Sequence, residues 1–424
     1  MKTIKIVTAM ILIGGLFAFM GCEEDDPGKL TIQSMNATGT DLETGQEVTK
    51  DLNAATAPSD VPLDAVMSVT FSKEVDPQTL GSAAVTLSSA KGEVQLDVNT
   101  SGQEVTITPQ SELERGTQYT ISLAATIQAD DGGAFEGAER SFTTAGQGIV
   151  VPPQSDSQVA YFTFNNTTED YTGNHTVSKA DISGYVQDRF GYVNSAAEFD
   201  GVDDIIDVTN TGDLINPSTT ISFWFWTDLD DEKVTNGMFL MGATAEYGFF
   251  FEMGIGDGNP WFKVTTRHKQ HPDATNDFGS ATAWGDAIRG NGEGFDVWSG
   301  DLAAMLDENW NHFVLSYDQS TSMKRAYLNG NLVWENDLSA SDEWKMKEMH
   351  IDTASATNET MDVGIGFAGS SDNHSTGWAD YETYVTDGVA KTFFGYMDDV
   401  RFFNTALSNT EVQSLYNSEK PAEE

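Results

Sequence analysis

The sequence has very little cysteine and few basic residues. Cys22 is the one cysteine in 424 residues, so a disulfide bond within the chain is excluded and stability must come from packing or bound ions. Lys and Arg number 22 against 66 Asp and Glu, which gives a formal net charge of −44 at pH 7. A chain this acidic repels phosphate backbones, which argues against nucleic acid and other anionic polymers as partners. The surplus carboxylates leave oxygen ligands available for calcium.

The sequence also lacks a hydrophobic run long enough to span a membrane. Lys2 and Lys5 precede an apolar run at 6–20, whereas a membrane-spanning helix needs roughly 20 apolar residues. A short apolar segment behind basic residues is typical of a secretory signal peptide, here residues 1–21. Cys22 follows directly, and an acidic stretch begins at the next residue.

This N-terminus resembles that of bacterial lipoproteins, in which the cysteine after the signal peptide is lipidated. The resemblance implies a lipid anchor on Cys22, although Phe19 and Met20 stand where most such motifs have Leu and a small residue. The acidic residues 23–26 resemble the export signal of Bacteroidetes-type surface lipoproteins, which implies exposure on the outer membrane. The alternative is that they form an ordinary solvated spacer within a tether at 22–29.

Residues 30–145 consist of short predicted strands separated by turn residues. Apolar and polar residues alternate, and turns recur about every 8–12 residues, which is the pattern of a β-sandwich. The phrases VPLDAVMSVTFSKEVDP (61–77), VTITPQSELERGTQYTISL (105–123) and SFTT (141–144) resemble bacterial Ig-like domains. The resemblance implies a spacer domain over 30–145. A linker follows at 146–157, stiffened by two consecutive prolines.

The second half of the chain is organised around residues 195–208, SAAEFDGVDDIIDV. Its first part alternates as a half-buried strand, Asp200-Gly201 predicts a turn, and DIIDV predicts a second strand. Further strands and a final short helix are predicted at 219–227, 311–319, 324–335 and 395–416. With the opening phrase at 159–177, these resemble the LamG-like, concanavalin A-like jelly roll family. The resemblance implies an all-β chain, in which an Ig-like sandwich precedes a larger jelly roll over 158–420. That family includes lectins, adhesion modules and glycanases, so the fold alone does not set the activity.

Two segments of the second half, 263–306 and 369–392, do not match the family. They are rich in Gly, Asn, Asp and aromatic residues. Loops this long are usually functional or disordered, and so many aromatic residues would be unusual for disorder. An exposed Trp or Tyr beside Asp, Asn or Arg suits the apolar face and the hydroxyl groups of a sugar. The predicted ligand-binding residues are Trp284, Asp286, Arg289, Trp378, Asp380 and Tyr381. The alternative is that these aromatic residues pin the insertions to the sandwich.

Other tryptophans lie in predicted strands and are interpreted as structural. Trp224 and Trp226 alternate with two phenylalanines, so at least one face of their strand belongs to the core. Trp310 and Trp334 also lie in strand phrases, and the same role is expected of them.

The jelly roll resemblance also implies a structural calcium ion between the first turn and the last strand. The matching oxygen ligands are Asp170, Asn174 and Asp398. Strand alternation predicts that the neighbouring Asp399 points to the other face. The alternative is that Asp170 forms an Asx turn and that one of the two later aspartates pairs with Arg401.

One phrase superficially matches a catalytic motif. Glu198, Asp200 and Asp203 resemble the E-x-D-x-x-E of glucanases on this fold, which need two carboxylates on one strand face. However, Asp203 replaces a glutamate, Gly201 interrupts the strand, and the family's own recurrent pattern accounts for the phrase. We therefore predict a surface lipoprotein that binds a glycan or another extracellular partner and has no enzymatic activity. The alternatives are a non-sugar adhesin or structural protein, and a glycoside hydrolase or lyase on the same fold.

Overall fold

A computed structural model describes most of the chain after the N-terminal segment. The described residues are 28–81, 83–209, 211–235, 237–243, 248–256, 259–270, 278–281, 287–289, 302–339, 346–349, 362–371 and 392–422. They form two compact units, one of residues 28–41 and 47–145, the other of residues 42–46 and those from 146 onward. Within the described ranges, no helix is long and apolar enough to cross a membrane.

The first unit is a sandwich of two antiparallel sheets. Its strands are β1 (Ile32–Thr40), β2 (Glu47–Asp51), β3 (Val66–Phe71), β4 (Val85–Ser89), β5 (Gly92–Val94), β6 (Leu96–Ser101), β7 (Glu104–Pro109), β8 (Gln118–Leu123) and β9 (Ala138–Thr143). One sheet has the order β2-β1-β3-β7-β6 and the other has the order β5-β4-β8-β9. In β3, Met67, Val69 and Phe71 are buried while the residues between them are not, as the alternating sequence predicts.

The second unit is a larger sandwich. Its strands are β10 (Gln158–Phe162), β11 (Thr176–Asp181), β12 (Gly184–Val186), β13 (Ala196–Asp200), β14 (Ile205–Thr209), β15 (Thr219–Trp226), β16 (Met238–Ala243), β17 (Phe249–Gly256), β18 (Asn259–Gln270), β19 (Phe278–Ala281), β20 (Ala287–Arg289), β21 (Asn311–Asp318), β22 (Met323–Leu328), β23 (Asn331–Asp337), β24 (Met346–Met349), β25 (Val363–Ile365) and β26 (Phe394–Phe403). Its helices are α1 (Glu232–Thr235), α2 (Leu302–Leu306) and α3 (Asn409–Glu419).

These strands form an eight-stranded and a nine-stranded sheet within the described residues. The eight-stranded sheet has the order β12-β13-β26-β15-β21-β22-β23, with β10 also paired to β26. The nine-stranded sheet has the order β11-β14-β25-β16-β17-β18-β19, with β20 and β24 also paired to β18. The chain is therefore all-β, with an Ig-like sandwich followed by a larger β-sandwich, as predicted.

Aromatic side chains fill the space between the two larger sheets. Phe223 and Phe225 of β15 are fully buried there, and the ring of Phe223 lies 5.2 Å from Phe251 of the opposite sheet. Each such ring contributes about 1.5–3 kcal/mol by leaving water. The core thus explains why every second residue of the ISFWFW phrase is apolar and bulky.

The stretch 195–208 links the two sheets, because β13 belongs to one and β14 to the other. The predicted turn lies between them, and Gly201 has a φ of 71°. A Cβ at this glycine would lie 2.8 Å from the Cβ of Phe394, so both conformation and space require glycine.

Helix α3 packs on the outer face of the eight-stranded sheet. Ser408 and Glu411 form a capping box at its start, with the backbone N–H of Ser408 donating to Oε2 of Glu411 at 2.8 Å. Val412 and Leu415 of the helix are buried in a small cluster with Phe403 of β26. The described C-terminus is therefore part of the folded unit.

Candidate functional site

The first turn of the larger unit is built around the carboxylate of Asp170. Its Oδ1 accepts hydrogen bonds from the backbone N–H groups of Tyr161 at 2.9 Å and Thr172 at 3.0 Å, the second closing an Asx turn. Its Oδ2 accepts from the backbone N–H groups of Asn174 at 3.1 Å and His175 at 3.0 Å, and from the Thr172 hydroxyl at 2.7 Å. Protein donors therefore occupy both oxygens of this buried side chain.

His175 joins this turn to the residues that precede β15. Its Nδ1 lies 3.1 Å from Oδ2 of Asp170, and its Nε2 lies 2.8 Å from Oδ1 of Asp213. Burial opposes ionisation of Asp170, but the hydrogen bonds from His175 and the turn outweigh it and hold the pKa of Asp170 at about 2. Burial also opposes protonation of His175, yet its bonds to the two carboxylates outweigh it and raise the pKa of the imidazole. The three side chains form a charged clamp.

Asp398 of β26 forms a buried ion pair with Arg189. The same guanidinium also pairs with Asp399. It lies 4.4 Å from the ring centroid of Trp224 and 4.7 Å from that of Phe190, so aromatic rings take the place of water around it. The side chain of Arg189 is only 2% exposed, so removal of its charge would leave two carboxylates buried without their partner.

The expectation that Asp398 and Asp399 point to opposite faces is wrong. Asp399 has a φ of 47°, and the register of β26 against β15 shifts at this point. Ser222 faces Arg401 while Trp224 faces Asp398, so two residues of β26 oppose one residue of β15. Such a β-bulge interrupts the alternation of side chains and turns both carboxylates toward one guanidinium.

Arg401, the arginine that the sequence offers as a partner for these aspartates, pairs with Glu419 instead. Its Nε donates to Oε1 of Glu419 at 2.8 Å, and the indole N–H of Trp224 donates to Oε2 at 2.9 Å. The backbone carbonyl of Glu419 accepts from Nε of Arg189 at 2.7 Å. The end of α3 is therefore held to the sheet by a buried network of charges.

These contacts bear on the predicted calcium ligands Asp170, Asn174 and Asp398. The side-chain amide of Asn174 donates to the carbonyl of Val159 at 3.1 Å, and the two carboxylates accept hydrogen bonds from protein donors. A calcium ion takes six to eight oxygen ligands, so an ion here would have to displace these donors. Calcium binding at these three residues remains a prediction, and the hydrogen bonds and ion pair observed there do not favour it.

A different acidic group lies in the turn between β13 and β14. One carboxylate oxygen from each of Asp200, Asp203 and Asp204 lies within 4.8 Å of the others, so this triad could hold a metal ion. Oδ2 of Asp204 accepts from the N–H of Asp200 and from the N–H and hydroxyl of Ser183, each at 2.8 Å. Burial raises the pKa of Asp204, because its charged form is less stable away from water. Two members of the glucanase-like phrase thus belong to this triad.

Strand β18 shows which side chains reach the outer face of the nine-stranded sheet. Phe262 and Val264 point into the core, so Trp261, Lys263 and Thr265 point outward. Trp261 and Lys263 are partly exposed, whereas Thr265 is buried and its hydroxyl has no hydrogen-bond partner. Trp261 is not among the residues predicted from the sequence, although a tryptophan on the polar side of the W-F-K-V-T alternation is a readable signal.

Trp261 lies over two glycines. A Cβ at Gly254 would lie 2.8 Å from its indole ring, and a Cβ at Gly237 would lie 3.4 Å from it. On the same strands, Nζ of Lys263 pairs with Oε2 of Glu252 at 3.1 Å. An aromatic ring near charged hydrogen-bonding groups is the combination expected of a sugar-binding surface.

Residues 366–371, here called the strap, lie against the same outer face. A Cβ at Gly242 or Gly364 would collide with the backbone of the strap, so these glycines allow the strap to contact the sheet directly. At its end, the backbone N–H of Ser371 donates to Oδ1 of Asp207 at 2.9 Å. The first residues of the second insertion, 369–371, are therefore fixed to this face.

Of the predicted ligand-binding residues, Arg289 alone lies in a described element. It belongs to β20, where its backbone faces Trp261 in antiparallel register. Because β19 and β20 both pair with β18, the described parts of the first insertion extend the nine-stranded sheet. Five predicted ligand-binding residues and the predicted lipidation site lie outside the described residues: Trp284, Asp286, Trp378, Asp380, Tyr381 and Cys22.

The strand tryptophans do not share one environment. Trp224 is 2% exposed and Trp334 is 8% exposed, in agreement with a structural role. Trp226 and Trp310, in contrast, are partly exposed.

Comparison with known proteins identifies the first unit more closely than the second. Residues 47–144 match the family model described as bacterial Ig-like domain. No curated protein matches the chain.

Similar solved structures include binding domains of botulinum neurotoxins. The serotype D binding domain is 15% identical, with a TM-score of 0.38 over 62% of this chain and 52% of that chain. The serotype G binding domain is 14% identical, with a TM-score of 0.38 over 61% of this chain and 50% of that chain. A serotype D domain in complex with N-acetylneuraminic acid is 14% identical, with a TM-score of 0.37 over 62% and 51% of the two chains. The chain spans about half the length of these structures, and the likeness is too loose to assign a ligand.

Proposed function

We propose that this protein is a surface lipoprotein of the outer membrane whose larger sandwich binds a carbohydrate or another extracellular partner. In this proposal Cys22 is the lipid anchor and the Ig-like domain is a spacer. The larger sandwich is of the LamG-like, concanavalin A-like type, which displays loops and supports many binding functions. The alternative is a non-sugar adhesin or structural surface protein.

The outer face of the nine-stranded sheet is the observation that supports binding most. Trp261 is partly exposed there, with the Lys263–Glu252 pair on the same two strands. The strap, which includes the first residues of the second insertion, lies on this face, and β20, within the first insertion, extends this sheet. Trp284 and Trp378 then supply further rings to a ligand, with Asp286, Arg289, Asp380 and Tyr381 as hydrogen-bonding partners.

The described side chains favour ligand binding over catalysis. A retaining glycosidase needs two free carboxylates about 5–5.5 Å apart, one of which must donate a proton. Asp200, in the glucanase-like phrase, accepts the N–H of Val202 at 2.7 Å through its Oδ1. Glu198 lies two residues earlier on the same strand, β13, and faces Tyr396 of β26. We therefore propose no glycoside hydrolase or lyase reaction here.

Glycan binding is tested with a full-length chain made soluble by Cys22→Ser. We expect micromolar to millimolar affinity for at least one glycan on an array, or about −4 to −8 kcal/mol. Trp284→Ala and Trp378→Ala should each weaken binding at least about tenfold without loss of stability. Trp334→Phe is the matched control, since Trp334 is buried. An array without any bound glycan would favour the structural adhesin.

The anchor is tested separately on whole cells. Cys22→Ala should release the protein from the membrane fraction or leave the precursor uncleaved. Neutral residues at 23–26 should leave lipid labelling intact but reduce protease accessibility on intact cells. Lipid labelling that persists in Cys22→Ala would exclude this anchor.

We also propose that the larger unit binds a calcium ion, and that Asp200, Asp203 and Asp204 are its ligands. Their clustered oxygens in a chain of net charge −44 support this assignment. Isothermal titration with calcium, comparing Asp203→Asn with the control Asp181→Asn, distinguishes this triad from other exposed carboxylates.

A further inference from the structure

A row of side chains crosses the outer face of the eight-stranded sheet. Tyr396 of β26 faces Glu198 of β13 on one side and Trp226 of β15 on the other in antiparallel register. The Trp226 and Tyr396 rings stack with centroids 4.6 Å apart and an interplanar angle of 14°. Trp310 lies 6.4 Å from Tyr396, directly before β21. The three aromatic residues Trp226, Trp310 and Tyr396, together with Glu198, are here called the aromatic row.

The aromatic row points away from the core. Phe225, next to Trp226, and Met397, next to Tyr396, lie in the core between the sheets. Each of the four side chains of the aromatic row is partly exposed. The row therefore combines two indoles, a phenol and a carboxylate at a surface that solvent reaches.

Helix α3 covers a neighbouring part of the same outer face. Trp224 precedes Trp226 by two residues and points to the same side, but α3 covers it through Tyr416, whose ring lies 5.7 Å away at 20°. Arg189 and Glu419 complete that cover. The protein thus buries one outward tryptophan of β15 completely and leaves its neighbour on this face accessible.

The chemistry of the aromatic row fits a neutral sugar. Indole and phenol rings pack against the C–H groups of a pyranose, while two indole N–H groups, the Tyr396 hydroxyl and the Glu198 carboxylate can bond its hydroxyls. Sialylated or sulfated glycans would meet the negative charge of Glu198 on a chain of net charge −44, so they are disfavoured.

We propose that the aromatic row is a second glycan-binding surface, selective for neutral pyranose-containing polymers, on the outer face of the eight-stranded sheet. This inference rests on the proposed function, since it concerns the same class of ligand. Two surfaces on one protein at high density would increase the retention of a long polymer through avidity.

The test measures binding of the full-length Cys22→Ser chain to soluble β-glucan, xylan, mannan and galactan, with sialylated and sulfated glycans for comparison. We expect binding to at least one neutral polymer, and we expect Trp226→Ala and Tyr396→Ala each to weaken it at least about tenfold. Glu198→Gln, which keeps the shape of the side chain, should weaken it several-fold. Tyr171→Ala is the matched control, because Tyr171 is also an exposed aromatic residue of this unit at 46% exposure. Unfolding midpoints measured alongside confirm that each variant folds.

Three results would overturn the inference in distinguishable ways. If the double variant Trp226→Ala/Tyr396→Ala binds glycan as the parent does, while Trp284→Ala binds it more weakly, then glycan binding is supported but the aromatic row is excluded as its site. If the parent binds no glycan, both the proposed function and the inference fail. If the double variant changes the molar mass in light scattering and not glycan affinity, the row joins two copies of the chain.

Discussion

Two tryptophans of β15, only two residues apart, have opposite environments in the structure. Trp224 is 2% exposed and lies between Arg189, His312 and Tyr416, with ring or cation distances of 4.4–5.7 Å. Trp226 is partly exposed and stacks on Tyr396. Both point away from the core, so the difference comes entirely from what lies above the sheet.

The cover over Trp224 comes from segments far away in the chain. Arg189 precedes it by 35 residues and Glu419 follows it by 195, and both are fixed there by buried charge pairs. A buried ion pair contributes little net stability, but the loss of one partner is costly. The covered part of this face is therefore a fixed structural element, whereas Trp226 is partly exposed.

Removal of the Arg189 guanidinium should destabilise the covered part of this face more than any of the substitutions that follow. We expect Arg189→Met to lower the free energy of unfolding by about 3–5 kcal/mol, because Asp398 and Asp399 would be left buried without the guanidinium that pairs with both. All nine tryptophans lie at or after residue 224, so tryptophan fluorescence during urea unfolding reports on the larger unit in the intact chain. Lys179→Met, which removes an exposed pair with Asp181, should cost less than about 1 kcal/mol. Equal losses in the two variants would contradict this account.

The comparison between the tryptophans can be made directly. Trp224→Ala should cost about 3–5 kcal/mol, since it leaves a cavity under α3 and removes the N–H donor to Glu419. Trp226→Ala should cost less than about 2 kcal/mol, because part of its ring is already in water. The two variants are compared by urea unfolding monitored by circular dichroism. A loss for Trp226→Ala as large as that for Trp224→Ala would assign a structural role to the aromatic row.

The clamp around Asp170 predicts a characteristic pH dependence. The pKa of Asp170 is about 2 against an ordinary value of 3.8, so its stabilising effect is present above about pH 4 and is lost as the pH falls toward 2. The pKa of His175 is raised above 6.5, so its contribution is present below pH 6.5 and is lost as the pH rises through the raised value.

Asp170→Asn should therefore cost about 2 kcal/mol near pH 5. The difference in unfolding free energy from the parent should shrink at both pH extremes. Glu169→Gln, which changes an exposed neighbouring carboxylate, should follow the parent at every pH. A difference between Asp170→Asn and the parent that does not vary with pH would exclude the clamp.

The smallest expected effect concerns the acidic triad. If calcium binds at Asp200, Asp203 and Asp204, a tenfold excess over the dissociation constant should stabilise the larger unit by about 1.4 kcal/mol. Chelation should remove this gain, and Asp203→Asn should show none of it. A calcium-dependent gain that persists in Asp203→Asn but disappears in Asp398→Asn would instead support the predicted site at the first turn and last strand.

The sequence predicted the elements that depend on local pattern. Alternation in the VMSVTF phrase, the break at Gly201 and the final short helix all correspond to observed elements. The region 324–335, predicted as strand, forms most of β22 and β23, and Asn329-Gly330 between them has positive φ values of 50° and 75° that suit a tight turn. Such signals are readable because each depends on residues only a few positions apart.

The candidate site was less predictable, because its features depend on contacts between distant segments. The partner of Asp398 is Arg189, 209 residues earlier, and a single bulge at Asp399 changes which face the next side chain reaches. Trp261 follows a readable alternation, but the two glycines beneath it lie on separate segments. The sequence therefore indicated acidic and aromatic residues without indicating which of them meet.

By itself the sequence determined that this chain is all-β, that it has two sandwich units, and that its stability does not depend on disulfide bonds. Composition, alternation and turn residues are sufficient for these properties, because they act through the local geometry of a strand or a turn. The tertiary structure alone decided which tryptophan of β15 is buried, which arginine neutralises which aspartate, and where three aspartates converge. Those outcomes depend on a bulge and on the position of a helix end far away in the chain, and the local sequence of β15 is the same whether or not α3 covers it.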